Sequence, residues 1–156
     1  MNTPWTRDGR VRADTVIIAP DVAGLVDKVY VKDNQFIKKG ELLFQIDKQR
    51  FIEDITRLEA LCRIQRIEYE MLKKQFDRRF SVNNDVVSKE EHEIAKYKRE
   101  ISKANYDKNL SELNVAKLNL ERSSVVSPED GWVTNLIIKN GDFINPDLYY
   151  FKTTPK

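Results

Sequence analysis

The chain has 156 residues, with 27 Lys and Arg against 25 Asp and Glu, a net charge of +2. So close a balance excludes a nucleic-acid binder that works through a broad basic face. A single cysteine, Cys62, excludes an intrachain disulfide, and no apolar run approaches the roughly 20 residues that span a bilayer.

Taken in order, the chain falls into three blocks. The first, from Thr15 to Asp47, reads as strands. VIIAP is a short apolar run, GLVDKVYV alternates, and ELLFQI follows the Lys39-Gly40 turn. Asp33-Asn34 sits where a tight turn is expected, and Asn tolerates positive φ better than most residues.

The second block, from Lys48 to about Arg122, contains neither Gly nor Pro and reads as helix. Apolar residues recur at 3-4 spacing through Ile55, Leu58, Cys62, Tyr69, Leu72 and Phe76. A second series runs through Ile94, Tyr97, Ile101 and Ala104, then shifts frame to Leu110, Leu113 and Leu120, with Val115 and Leu118 beside them. Such spacing makes a narrow coiled-coil seam. One break is expected at SVNNDVV, whose paired Asn and β-branched residues suit helices poorly. Ser88-Lys-Glu-Glu91 follows as a capping box, and Lys73, Lys74, Arg78 and Arg79 precede it as cations suited to a helix C-terminus. The expectation is two antiparallel arms, about Lys48 to Phe80 and Lys89 to Arg122, each roughly 50 Å long.

The third block, Ser124 to Thr153, is strand again: VVSP, GWVTNLIIK and LYYFKTT. It repeats the first. PDVAGLVDKVYVKDNQFI near the start runs in step with PEDGWVTNLIIKNGDFI near the end when Gly24 is set over Gly131. Val26 then meets Val133, Val29 meets Leu136, Val31 meets Ile138, Phe36 meets Phe143 and Ile37 meets Ile144. Neither half is expected to bury its apolar face alone. Two equal helical arms return the chain to its origin, so the halves close into one two-fold β sandwich. The domain reading is therefore a segment at 1–14, two half-domains at 15–47 and 124–153, and a helical hairpin at 48–123 with its tip at 81–88.

A β sandwich of two quasi-repeated halves resembles the biotinyl/lipoyl domain. Split by a coiled-coil hairpin, it is similar to the periplasmic adaptors, or membrane fusion proteins, of the hemolysin-secretion-D type. The residues that carry the resemblance are Pro20, Gly24, Val26 and Gly40 in IIAPDVAGLVDKVYVKDNQFIKKGELLFQID, with Pro128, Gly131, Val133 and Gly141 in VVSPEDGWVTNLIIKNGDFI. Asn34 stands where the family usually has Gly. The opening TPWTRDGRVRADTV and the phrase DGWVTNL are most similar to the adaptors of pumps for p-hydroxybenzoate-type aromatic acids.

The resemblance implies an α+β fold and an adaptor anchored to the inner membrane and standing in the periplasm. It implies self-association into a ring, trimer or hexamer, around an inner-membrane efflux transporter, and a hairpin tip that meets an outer-membrane channel of the TolC type. In the family's tip motif Ser88 matches the Ser, Arg78 or Arg79 stands for the Arg, and Phe80 falls near the expected Leu. A membrane anchor is expected before residue 5 and a β-barrel with a membrane-proximal domain after residue 150, so the chain reads as a shortened form, with residues 5–12 as a strand of the barrel.

Rival readings attach to particular residues. Asp47-Lys48 resembles the Asp-Lys of a lipoylated turn and so suggests a carrier domain, but about 75 residues of helix replace the turn, and Lys48 reads as the first turn of a helix with Asp47 as its cap. A chaperone-like coiled-coil protein gripping clients between hairpins is a third class, which the β repeat disfavours. His92, the lone histidine, reads as a surface residue, and one His builds no standard His-rich metal site or triad. Glu90, Glu91 and Glu93 are explained by the helix dipole, and Cys62 by the seam. With no catalytic constellation or phosphate loop, the chain reads as a non-enzyme without cofactor or metal. The basic cluster Lys73 to Arg79 either caps the first helix or meets acceptor groups on a partner. Val82, Val86 and Val87 form either a contact surface or a plug between the helix ends.

Overall fold

The computed structural model describes residues 16–81, 88–148 and 151–155. The chain divides into two compact units, Met1–Asp47 with Arg122–Lys156, and Lys48–Glu121.

Among the described residues the first unit holds eight strands: β1 (Val16–Ile18), β2 (Gly24–Val29), β3 (Phe36–Ile37), β4 (Leu42–Ile46), β5 (Ser124–Val126), β6 (Gly131–Thr134), β7 (Phe143–Ile144) and β8 (Phe151–Pro155). They form two four-stranded antiparallel sheets, ordered β1-β8-β6-β3 and β5-β4-β2-β7. Exchanging the first four strands for the last four turns one order into the other, so the repeat in the sequence is a two-fold repeat in the fold. Each sheet takes strands from both halves, which is why neither half is a domain.

Hydrogen bonds repeat with the same spacing of 107 residues that separates Gly24 from Gly131. The Asn34 amide donates to the Val133 carbonyl at 2.8 Å, and the Gly141 amide to the Val26 carbonyl at 2.7 Å. Val133 N–H donates to the Gln35 carbonyl at 2.9 Å, and Val26 N–H to that of Asp142 at 2.8 Å. Side chains cap the turns in matching ways: Gln35 Oε1 accepts from Lys32 N–H and Asp142 Oδ2 from Lys139 N–H, while Asp33 Oδ1 accepts from Leu136 N–H and Asn140 Oδ1 from Val29 N–H. Asn34 has φ 61° and Gly141 φ 88°. The left-handed conformation costs an ordinary residue about 1–2 kcal/mol, and Asn and Gly are the residues that bear it most easily. That explains why Asn34 can occupy the Gly position of the turn.

Val26, Val31 and Ile37 from one half are buried in the core with Val133, Ile138 and Ile144 from the other, together with Leu43, Phe44 and Ile46. Burying one such side chain is worth about 1.5–3 kcal/mol. β4 and β5 lie side by side where the chain leaves for the helices and returns. The Ile46 amide donates to the Ser123 carbonyl at 2.8 Å, and buried Gln45 donates from Nε2 to that carbonyl at 2.9 Å and accepts from Ser124 Oγ at 2.9 Å.

The second unit is a helical hairpin. α1 runs Gln49–Ser81 and α2 Lys89–Arg122. Leu58 and Cys62 of α1 pack on Leu113 of α2, with Ile55 and Ala116 beside them. Lys117 Nζ lies 3.4 Å from Glu59, and Arg99 stacks 4.3 Å from the centre of the Phe76 ring. Partners late in α1 are early in α2, which makes the arms antiparallel. The seam on α1 is Phe51, Ile55, Leu58, Cys62, Gln65, Tyr69, Leu72 and Phe76, all buried or half-buried at heptad spacing.

Three readings of the sequence need correction. On α2 the seam is His92, Ala95, Arg99, Ser102, Tyr106, Asn109, Leu113, Ala116 and Leu120, whereas Ile94, Tyr97 and Ile101 are 43%, 58% and 62% exposed, and Ala104, Leu110, Val115 and Leu118 also face outward. Leu113 fixes the frame against Leu58 and Cys62, and a heptad continued without a stutter carries that frame to His92. His92 is therefore half-buried on the seam side. The run GWVTNLIIK is strand only to Thr134, because Asn135 turns left-handed at φ 56°. α1 begins at Gln49, one residue after the expected start, and the Lys48 carbonyl accepts from Ile52 N–H at 3.0 Å.

Candidate functional site

The far end of the hairpin is assembled from the end of α1 and the start of α2. Arg78 and Arg79 stand in the last turn of α1, where the helix dipole favours cations. Arg78 Nε donates to the Lys74 carbonyl at 3.4 Å. Ser88 begins the return arm as a reciprocal cap: Glu91 N–H donates to Ser88 Oγ at 3.2 Å, and Ser88 N–H to Glu91 Oε2 at 3.1 Å. Glu90 and Glu91 fill the acidic first turn. Behind this end, a shallow groove between the arms is lined by Leu72, Gln75, Arg79, Ile94, Ala95 and Lys98. It places the cations Arg79 and Lys98 beside Leu72, Ile94 and Ala95. Val82, Val86, Val87 and the side chain of Phe80 lie outside the described residues, as do residues 5–12.

The motif residues of the β unit do other work. Pro20 is buried ahead of β2 and Pro128 exposed ahead of β6. Gly24 opens β2 so close to Ile46 that a Cβ there would stand 2.6 Å from its Cγ2. Gly131 opens β6, and Val26 and Val133 are buried opposite one another in the repeat. Gly40 and Gly141 turn the chain with positive φ, and the Gly40 amide donates to the Ser127 carbonyl at 2.8 Å. These residues build the fold and converge on no chemical site. Lys48 stands at the start of α1, not on an exposed β turn. Among the described residues no three His, Cys, Asp or Glu are grouped to hold a metal ion, and no described helix is long and apolar enough to cross a membrane.

Two sets of outward apolar residues are absent from the sequence reading as sites. On the hairpin, Ile64, Ile67 and Met71 of α1 and Ile94, Tyr97 and Ile101 of α2 face away from the seam. On the β unit, Leu25 and Phe143 pair across β2 and β7 and are 51% and 64% exposed. Their counterparts in the repeat, Trp132 and Phe36, pair across β6 and β3 as an edge-on aromatic contact with centroids 5.4 Å apart. Strand alternation carries the signal for these, since Leu25 and Trp132 each neighbour a buried Val.

Residues 14–147 match the family model for the barrel-sandwich hybrid domain of RND membrane fusion proteins. The chain belongs to that family. A MacA–MexA chimera carrying the Pseudomonas aeruginosa MexA α-hairpin domain is 27% identical, with TM-score 0.53 over 91% of this chain and 48% of that one. MacA from Actinobacillus actinomycetemcomitans is 23% identical, with TM-score 0.63 over 91% and 49%. ZneB from Cupriavidus metallidurans is 20% identical, with TM-score 0.57 over 92% and 62%. At their identities the last two speak for the fold alone. The chain spans about half the length of the MacA and MacA–MexA proteins.

Proposed function

We propose that this chain is the central part of a periplasmic adaptor of a tripartite efflux or secretion system, inner-membrane anchored in its full-length form. The observation that carries the reading is a β unit closed from two halves, with a long antiparallel hairpin inserted between β4 and β5. In this role the β unit holds the root of the hairpin, and the far end, residues 78–88 with Arg78, Arg79, Phe80, Val82, Val86, Val87 and Ser88, meets an outer-membrane channel of the TolC type. The cations of the groove behind it, Arg79 and Lys98, favour carboxylates on that partner. An inner-membrane transporter is the second partner. The chain transforms nothing; substrate passes through a ring, trimer or hexamer, of such subunits. The outward stripes on both arms support side-by-side packing of hairpins, since apolar residues at heptad spacing opposite the seam favour a further helix. Within the family, we assign the chain to pumps for p-hydroxybenzoate-type aromatic acids on the phrases TPWTRDGRVRADTV and DGWVTNL.

The test places a photo-crosslinking amino acid at Val86 of the full-length protein in cells, with Glu68 on the flank of α1 as control. An adduct with an outer-membrane channel from position 86 alone supports the adaptor role. Absence of that adduct in well-expressed protein overturns the assignment of the tip.

A further inference from the structure

The sequence holds a single Asn-Gly step, Asn140-Gly141. Asn is a thermolabile residue, and a glycine after it leaves no side chain to shield its amide. The reaction is intramolecular. The Gly141 nitrogen, on losing its proton, bonds to Asn140 Cγ; the Cγ–Nδ2 bond breaks, ammonia leaves, and a cyclic succinimide forms. Water then opens the ring at one carbonyl or the other, giving aspartate or isoaspartate. Asn34 and Asn135 are followed by Gln35 and Leu136, whose bulk hinders the same attack, and Asn145 by Pro146, which has no N–H to lose.

The folded β unit restrains both reactants. Asn140 Oδ1 accepts from Val29 N–H at 2.9 Å, which fixes the side chain. Gly141 N–H donates to the Val26 carbonyl at 2.7 Å, which keeps the proton on the attacking nitrogen. The Asp142 carbonyl accepts from Val26 N–H at 2.8 Å, so β2 holds three consecutive residues of the turn. Asn140 is exposed to water. Its protection therefore comes from closure of the two halves rather than from burial, and parting them removes all three bonds together.

The repeat also tells which product the fold can hold. Asn140 corresponds to Asp33, whose Oδ1 accepts from Leu136 N–H at 3.3 Å as Asn140 Oδ1 does from Val29. A carboxylate already does this work in the first half, so aspartate fits at position 140. Isoaspartate adds a methylene to the main chain ahead of Gly141, and the bonds of Gly141 and Asp142 to Val26 then lose their common register.

We infer that Asn140-Gly141 is a deamidation site gated by closure of the two halves. It is silent while β2 holds the turn and reactive once the halves part, and its isoaspartyl product bars them from closing again.

The experiment keeps the full chain in mildly alkaline buffer and follows amide loss at position 140 by peptide mass mapping. Loss from the folded protein is at least about tenfold slower than in urea beyond the unfolding transition. Ile37→Val trims a buried side chain of the other half, leaves the turn itself intact and speeds the loss about fivefold; Ile37→Ala takes its place if the milder change leaves the urea midpoint where it was. Chains deamidated in urea are returned to buffer and separated by size exclusion, with isoaspartate marked by an isoaspartyl methyltransferase. The compact fraction carries aspartate, and the isoaspartyl chains stay expanded. Asn140→Asp folds with its urea midpoint unchanged. Equal rates in buffer and in urea overturn the protection. A rate unmoved by a variant at Ile37 whose midpoint has fallen overturns the gate, because the turn then reacts without the halves parting. Isoaspartyl chains in the compact fraction overturn the bar to closing, and an Asn140→Asp chain that fails to fold overturns the equivalence with Asp33.

Discussion

Gly24→Ala tests how tightly β2 and β4 pack in the first half of the β unit. The new Cβ falls 2.6 Å from Ile46 Cγ2, on a side chain with no exposed surface. Carbon atoms prefer about 3.5–4.0 Å, so β2 and β4 must separate or Ile46 must leave its rotamer. Overpacking of this kind costs about 1–3 kcal/mol. In a unit of this size that lowers the melting temperature by about 4–8 °C per kcal/mol. With Trp5 replaced by Phe throughout, Trp132, stacked edge-on against Phe36, makes tryptophan fluorescence a reporter of the β unit, while ellipticity at 222 nm follows the helices. Urea titration read both ways should show the fluorescence midpoint fall with its slope unchanged. Ile46→Leu removes Cγ2, so the double variant should lose about 1 kcal/mol less than the two single losses together. An unchanged midpoint, or strict additivity, refutes the close approach.

Ser102→Glu should unfold the hairpin or lower its stability by several kcal/mol, because it buries an unpaired charge. Ile101→Glu, one residue away but 62% exposed, should stay within about 0.5 kcal/mol; ellipticity at 222 nm during urea titration separates them, and the reverse order would refute the seam of α2. Asn34→Ala and Gly141→Ala should each cost about 1 kcal/mol by the same fluorescence assay, since both positions are left-handed; a cost at one alone would break the equivalence of the turns. Leu113→Ala should cost about 2–4 kcal/mol of hairpin stability through the cavity it leaves against Leu58 and Cys62, and a loss under 1 kcal/mol would show that cluster to be loose.

The β unit was legible in the sequence because its repeat is spelled out: Gly24 and Gly131, the Phe-Ile pairs, and the turns at Asn34 and Gly141 each mark a place where geometry narrows the choice of residue. The capping box at Ser88 was legible because its chemistry is local, two side-chain hydrogen bonds spanning three residues. The frame of α2 was not. Ile94, Tyr97 and Ile101 show helical spacing as clear as that of a seam, and local pattern has no means of saying which of two stripes faces the partner. Leu113 decides it through a contact with α1, which is tertiary information. The end of β6 at Asn135 was hidden for the opposite reason, since the apolar run of Leu136 and the two residues after it continues past a backbone reversal. The outward pairs Leu25–Phe143 and Phe36–Trp132 escaped because a sequence read for its core discards the residues that alternate with it.

The insertion of the hairpin between β4 and β5 bears on the order in which the molecule folds. Gln45 and Ser123 touch although 78 residues separate them. Closing a disordered loop of that length costs about 2 kcal/mol more than closing one of a few residues. The hairpin removes much of that cost if it forms first, because its own contacts join neighbouring turns and its arms return the chain to the start. Helical hairpins of such local character form fast, and non-local strand pairing is slow. After a jump out of denaturant, ellipticity at 222 nm should therefore recover before Trp132 fluorescence. Leu113→Ala should slow the fluorescence phase although the mutated residue belongs to the other unit; equal rates for the variant and the unmodified protein would mean that the sheets find each other without help.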